Sequence, residues 1–304
     1  PAVISQHLQW STQANIKFWV TSWWGKNKRE DLTTKNIILN HPDLGDHKIA
    51  LFYETTGRIK TEEDMDKNIL EDISYICETY FEHPNYLHVN GRPALFVYIT
   101  RQLEQTDFME RVILLMRSVA SNYGYDIWLA GDHVWNKAPE KDELFKPFLY
   151  LDAVTNYDIY GNMGVTGYAG QAAVNQYYQE QADWKLRAND LKCGFIPAVS
   201  PGYNDRGVRL HANHDPLSRK IASNKNEGSL FKAALKKAVK LVDPTIGNIM
   251  LVNSFNEWHE DSQIEPVAVT TELVSEPSEL TKGLKYEGYG DLYLRLLGDA
   301  TRDL

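Results

Sequence analysis

Seven short runs rich in β-branched and aromatic residues recur along this chain, and stretches of helical periodicity separate them. The runs cover 16–23, 48–54, 93–98, 127–131, 151–157, 194–199 and 249–252. Helical patterns occupy 1–13, 108–122, 170–188, 230–242 and, most clearly, the stretch opened by Thr61. There Thr61 can cap the helix, acidic residues fill the first turn, and Ile69, Ile73, Ile76 and Tyr80 mark a buried stripe before His83-Pro84 ends it. Asn90-Gly91 is a tight-turn signal just ahead of the third run.

Strands that alternate with helices imply a parallel sheet with helices packed on it. An open doubly wound sheet and a closed barrel both satisfy that pattern. Polar or aromatic residues end nearly every run, as a ring of functional loops at one face of a barrel would require. The predicted fold is therefore α/β, a (β/α)8 TIM barrel forming a single domain over 1–304. Because the chain opens inside a helical pattern, the first of eight strands is expected upstream of residue 1. Residues 266–304 are loop-like and acidic until a closing helix at 289–297, and are expected to cover the barrel.

Composition excludes several classes of partner. The net charge is −9 and no basic cluster interrupts the chain, which argues against nucleic acid. No apolar run approaches the ~20 residues of a membrane span. Cys77 and Cys193, far apart in sequence, read as small buried side chains and imply no disulfide framework. No signal peptide heads the sequence. The 8 Trp and 17 Tyr residues supply flat apolar faces with polar edges, the surfaces that sugar rings favour.

The chemistry concentrates after the last strand-like run, in Asn253-Ser254-Phe255-Asn256-Glu257-Trp258-His259-Glu260. Two carboxylates three residues apart beside aromatic rings are the usual equipment for breaking a glycosidic bond. A solvated helix face would also place two glutamates so, but Asn256, Trp258 and His259 are costly residues to leave there. His259-Glu260 opens like a zinc HExxH motif, yet position 263 is Gln, so the second ligand is missing. No metal and no cofactor is expected. Residues 204–228 form a polar connection too long for an ordinary link, which points to a functional loop.

The run Ser254–Glu260, continuing through Gln263-Ile264-Glu265, closely resembles the signature of the family 99 glycoside hydrolases. Those are endo-α-mannosidases and endo-α-mannanases, with related WbsX-like proteins of polysaccharide gene clusters. Ser22-Trp23-Trp24, Phe52-Tyr53-Glu54, His83-Pro84, Phe96-Val97-Tyr98, Ile196-Pro197 and Pro201-Gly202-Tyr203 follow in the family's order, with Arg209 after them. The resemblance implies a (β/α)8 barrel that cuts an internal α-mannosidic bond with retention, through a 1,2-anhydro sugar. By position in the motif Glu257 is the base acting on the sugar's 2-hydroxyl, and Glu260 is the acid/base. Trp23 is expected to stack on a sugar, and Glu54, Tyr98, Tyr157, Tyr203, Arg209, Asn256 and Trp258 to bind or enclose the substrate. The partner is an oligosaccharide or polysaccharide; a family-like protein would work in the periplasm, outside the cell or in the secretory lumen.

Four positions depart from the family's pattern: Thr55-Thr56 in place of Pro-Tyr, Ile99 in place of Asp, and Asp261 in place of Gly. A carboxylate at 261 is expected to alter the pKa of Glu260 or to meet a different sugar. Two other functions fit the same residues: an enzyme of polysaccharide assembly acting on a non-mannose glycan, or a carbohydrate-binding barrel without catalysis. A barrel that only binds would most simply have lost one acid, and both are present.

Overall fold

A computed structural model describes residues 2–141, 145–212, 214–270 and 278–304. The helix Ala2–Gln13 precedes the first strand, β1 (Phe18–Trp23). There follow β2 (Lys48–Tyr53), the two-residue β3 (His88–Val89), β4 (Arg92–Val97), β5 (Trp128–Asp132) and β6 (Ala153–Thr155). Next come β7 (Gly194–Phe195), β8 (Ala198–Val199) and β9 (Leu251–Val252). Strands β1, β2, β4, β5, β6 and β7 pair in that order, every pair parallel. β8 resumes the line of β7 after Ile196-Pro197 and pairs in parallel with β9. A proline cannot donate to a ladder, which breaks the run of hydrogen bonds at this place. The seven expected strand-like runs thus each supply part of one continuous parallel series.

Asn90 and Gly91, both at positive φ (52° and 77°), form the turn of the β3–β4 hairpin. Thr61 accepts the amide of Asp64 and starts the helix Glu62–Thr79. The later helices Met109–Asn122, Gly170–Asp190 and Ser229–Ala238 lie close to where periodicity put them. The closing helix runs Leu292–Thr301, three residues later than expected at its start, because a hairpin intervenes. Its strands, β10 (Val267–Thr270) and β11 (Gly288–Gly290), occupy ground that reads as loop. Both cysteines are buried and free.

Alternation along the strands sorts the core into two shells. Ile49, Leu51, Tyr53, Leu95, Val97 and Leu129 pack outward against the helices. Ala50, Phe52, Ala94, Phe96, Trp128, Ala130 and Ala153 fill the space inside the sheet. Around the seam between β9 and β1, side chains make the contact: Phe255 lies 5.1 Å from His7 and 6.3 Å from Trp19, ring to ring. His7 also reaches Glu265 at 2.9 Å. At the opposite end of the strands Asp152 ties β4, β5 and the helix Met109–Asn122 together through Arg92, Arg117 and the Leu129 amide.

The same alternation corrects one expected site residue. Trp23 falls on the outward parity of β1, fully buried, stacked on Tyr53 and Tyr75 at 5.7 and 6.3 Å. Its indole N–H donates to Asp31 at 3.0 Å, so no face is open to a sugar. The exposed indole at this strand end belongs to Trp24. Asp31, itself fully buried, also accepts from the Tyr75 and Tyr80 hydroxyls and the Asn27 amide. Burial pushes its carboxyl up, but these four donors together outweigh that and hold it below the usual range.

A pinned aspartate of this kind makes a stability prediction. Asp31→Leu leaves three side-chain donors bare and should cost about 3 kcal/mol or more in urea unfolding. Because the folded-state pKa is depressed, Asp31 stabilises the fold above its unfolded value and loses that contribution as pH falls. The difference between wild type and Asp31→Asn should therefore shrink as unfolding is measured at successively more acidic pH.

Candidate active site

The inward parity of the strands continues past their ends, where apolar residues give way to polar ones. In β2 the inward series Ala50, Phe52 runs on to Glu54, and in β4 Ala94, Phe96 runs on to Tyr98. Ladder bonds hold both: the Glu54 amide donates to Trp23 at 3.1 Å and the Tyr98 amide to Tyr53 at 3.0 Å. Tyr157, two residues past β6, closes the group. Its ring meets Tyr98 edge-on at 5.5 Å, and Phe52 lies beneath both at 5.4 and 5.5 Å. Asp132, at the inward end of β5 and fully buried, accepts the amides of Ile99 (3.2 Å) and Tyr157 (2.9 Å). Arg101 balances its charge at 3.1 Å. Asp132 therefore fixes the backbone at two of the strand-end tyrosines, a role its bare position in the sequence did not reveal.

The acidic motif folds into a loop closed at its own neck. The Ser254 amide donates to Ser262, and the Ile264 and Glu265 amides return to Ser254 and Phe255. Ser254 Oγ accepts the Glu257 amide at 2.8 Å, and Asn253 donates to the Tyr157 carbonyl at 2.7 Å. Glu257 then caps the short turn Trp258–Glu260, its carboxylate accepting from the His259 amide at 3.3 Å. Asn256 and Trp258 stand exposed on the rim, with the Trp258 indole donating to Glu265 at 2.9 Å.

The long loop after β8 supplies the counter-charge. The antiparallel bridge between Tyr203 and Leu217 pinches its base, and Tyr160 stacks on Tyr203 at 4.4 Å. Inside the loop Asp205 is buried and accepts from His214 at 2.8 Å and Arg209 at 3.1 Å. These bonds hold the Asp205 carboxyl below its ordinary value against the opposing push of burial. Arg209, so anchored, reaches Glu260 at 2.8 Å. The backbone carbonyl of Glu260 accepts the Asn204 amide at 2.7 Å, so the loop grips the main chain of Glu260 too.

Electrostatics show that these groups face one another. Burial first, then the carboxylates of Glu260 and Glu257, lifts the Tyr157 hydroxyl well above its ordinary value. Tyr98 is raised by burial, Asp132, Glu54 and Glu260, and Tyr203 by burial, Glu260 and Asp205. All three hydroxyls stay protonated as donors. Glu260 is raised chiefly by burial, with Glu257 and Asp205 adding to it and Arg209 opposing. Glu54 is pushed up to about 7 by burial, with a Ser22 hydrogen bond working against it. The structure thus gathers Glu54, Tyr98, Tyr157, Tyr203, Arg209, Glu257 and Glu260 at one mouth and leaves Trp23 out. Ser22, Asp132 and Asp205 join them as supports. Among the described residues, no three His, Cys, Asp or Glu side chains come together as a metal site.

The expected effect of Asp261 takes a different form. Its carboxylate turns to Arg219, with Nη2 at 2.9 Å and Nε at 3.2 Å, and is paired there.

A carbon-13 titration of the glutamate carboxyls should find Glu260 above the normal range and Glu54 near 7. In Arg209→Met, which removes the opposing cation, Glu260 should climb further.

Comparison with known proteins agrees with this geometry. The model of glycosyl hydrolase family 99 matches residues 1–300. The glycoprotein endo-α-1,2-mannosidase of Mus musculus is 26% identical over 286 residues, covering 87% of this chain and 54% of that protein. The Xenopus laevis protein of the same name is 25% identical, covering 97% of this chain and 61% of the relative. The chain thus spans little more than half the length of these curated relatives. The solved family 99 endo-α-mannosidase of Bacteroides thetaiotaomicron superposes with a TM-score of 0.65 at 22% identity, over 100% of this chain and 79% of that one. A solved glycoside hydrolase-like protein gives the same TM-score at 17% identity, over 98% and 84%. The parallel series of strands is therefore that of a (β/α)8 barrel, and the chain belongs to glycosyl hydrolase family 99.

Proposed function

We propose that this chain is a retaining, endo-acting glycosidase that cuts internal α-mannosidic linkages in a glycan. The observation that carries the reading is the unlike setting of two carboxylates three residues apart. Glu260 keeps 18% of its side chain exposed and is raised mainly by burial, which suits a group that must hold a proton for the leaving oxygen. Glu257 is more open, at 38%, and accepts a backbone N–H, which suits a base. The relatives, glycoprotein endo-α-1,2-mannosidases, support mannose and the α-1,2 bond.

In this mechanism Glu257 takes the proton from the sugar's 2-hydroxyl as that oxygen attacks the anomeric carbon. The bond to the leaving oxygen breaks while Glu260 gives it a proton, and a 1,2-anhydro sugar forms. Glu260 then takes a proton from water as the water oxygen attacks the same carbon. The epoxide oxygen recovers its proton from Glu257, so both carboxyl groups return to their starting states. Tyr98, Tyr157 and Tyr203 donate to sugar oxygens, and Glu54, at the end of β2, binds a hydroxyl. Arg209 holds Glu260 in place. Trp24, rather than Trp23, offers an indole face at the end of β1.

Glu260→Gln should lower cleavage of natural glycans about a hundred- to ten-thousand-fold. Aryl glycosides with very good leaving groups should lose far less; equal losses would remove Glu260 from the acid role. Activity should survive exhaustive chelation, and its loss with rescue by one ion would overturn the metal-free scheme. An activated 2-fluoro glycoside lacks the reacting oxygen, so intact-protein mass spectrometry should find no adduct. A stable adduct on Glu257 would make that residue a nucleophile and end the epoxide route.

A further inference from the structure

Trp258 lies between the two glutamates of the motif, and 49% of it is exposed. Its indole N–H, the one polar group of the side chain, donates to Glu265 Oε2 at 2.9 Å. The bond joins the turn Trp258–Glu260 to the neck of the loop. Glu265 itself is tightly held. Its amide donates to the Phe255 carbonyl and its own carbonyl accepts the Tyr289 hydroxyl, both at 2.9 Å. Only 15% of its side chain is exposed, and the second carboxylate oxygen lies 2.9 Å from His7 Nε2. His7 is fixed in turn by rings. Its imidazole stacks on Trp10 at 5.8 Å and meets Phe255 and Trp19 edge-on at 5.1 and 6.4 Å. A chain of contacts thus runs from the helix Ala2–Gln13 and from β1, through a mostly buried His7–Glu265 pair, to an exposed indole.

The loop does not need this bond for closure. Backbone bonds from Ser254 to Ser262 and from Ile264 to Ser254 already join its two arms, and Ser254 Oγ holds the Glu257 amide. Ordering a side chain that solvent still surrounds costs rotamer freedom and removes little apolar surface from water. Such an anchor is useful where the ring must be in place before something binds, because the ordering cost then falls outside the binding step. With its N–H taken by Glu265, the indole has only apolar surface left to offer. The C–H face of a neutral sugar is the surface that covers it. Glu257 and Glu260, on either side of Trp258 in the chain, both face Tyr157 across the mouth, so the indole stands at its rim.

We propose that Glu265, backed by His7, is a positioning residue that presets Trp258 as an apolar platform for one sugar ring of the glycan. The ligand in this proposal rests on the glycosidase reading and the positioning does not, so the test has two arms. In the first, NMR follows solvent exchange of the Trp258 indole proton, identified by its loss in Trp258→Phe. Glu265→Met should speed that exchange about tenfold or more, the worth of a hydrogen bond to a charged acceptor. Glu265→Gln, whose amide oxygen still accepts, should keep most of the protection. Equal exchange in wild type and Glu265→Met overturns the positioning, whatever the chain cleaves. In the second arm the substrate is an α-1,2-linked mannose tetrasaccharide, with unfolding midpoints read alongside. Glu265→Met should raise KM about three- to tenfold, the cost of ordering one free side chain on binding, and leave kcat unchanged. Glu265→Gln should restore KM, and in a Trp258→Ala background Glu265→Met should add nothing. A fall in kcat alone, or equal losses with and without Trp258, overturns the platform. No cleavage by wild type, with the indole still protected, removes the mannoside as its occupant and leaves the positioning standing.

Discussion

Side chains of a β-strand alternate between two faces, and in a parallel barrel both faces are buried. Every strand here must therefore supply two apolar series, one against the helices and one filling the interior. The interior is narrow, so its series combines small and large residues: Ala50 with Phe52, Ala94 with Phe96, Trp128 with Ala130. Where the ladder ends and the interior opens to solvent, the next inward position no longer needs to be apolar. Glu54, Tyr98 and Asp132 occupy such positions, and the site consists of the barrel's own inward series continued one step beyond its core. Their backbones remain in or beside the ladder, which gives them the rigidity that catalysis demands.

Placing Glu54, Asp132, Asp205, Glu257 and Glu260 around one mouth creates a field that the protein must distribute. Asp132 is neutralised by Arg101 and Asp205 by Arg209, while His214 is a hydrogen-bond partner of Asp205. Arg209 is shared between Asp205 and Glu260, so it fixes the acid without cancelling the effect of burial on it. The remaining negative potential falls on the tyrosine hydroxyls and keeps them protonated. A ring of neutral donors around two unlike carboxylates is matched to a neutral, hydroxyl-rich ligand.

Period and turn chemistry made the scaffold legible. The seven strand-like runs, the Thr61 cap and the Asn90-Gly91 turn all rest on local rules that tertiary packing had no reason to override. The motif's glutamates and the strand-end tyrosines were legible because they end recognisable runs. Trp23 was misjudged because its place at a strand end was weighed and its parity was not; counting in steps of two from Val20 reaches Ser22 instead. The β10–β11 hairpin was missed because its strands are short and lie apart in sequence. Asp132 and Asp205 could not be assigned from sequence, since their partners are amides and side chains that only the fold brings near.

The departures from the family pattern follow one physical line. Ile99 and Asp261 both sit in the left-handed region, at φ 49° and 47°. Aspartate and glycine, the residues the resemblance leads one to expect at these two positions, adopt that region more readily than a β-branched residue. Ile99 is retained by burial and by its amide bond to Asp132. Thr55, where the family has proline, donates its hydroxyl to the Tyr98 carbonyl at 2.9 Å and so joins two strand ends through a side chain. Asp261 adds a carboxylate next to the acid, but backbone geometry sends it to Arg219, where a cation and two carbonyl contacts already wait. A carboxylate one residue from Glu260 thus finds its partner in Arg219 and leaves the Arg209–Glu260 pair in place.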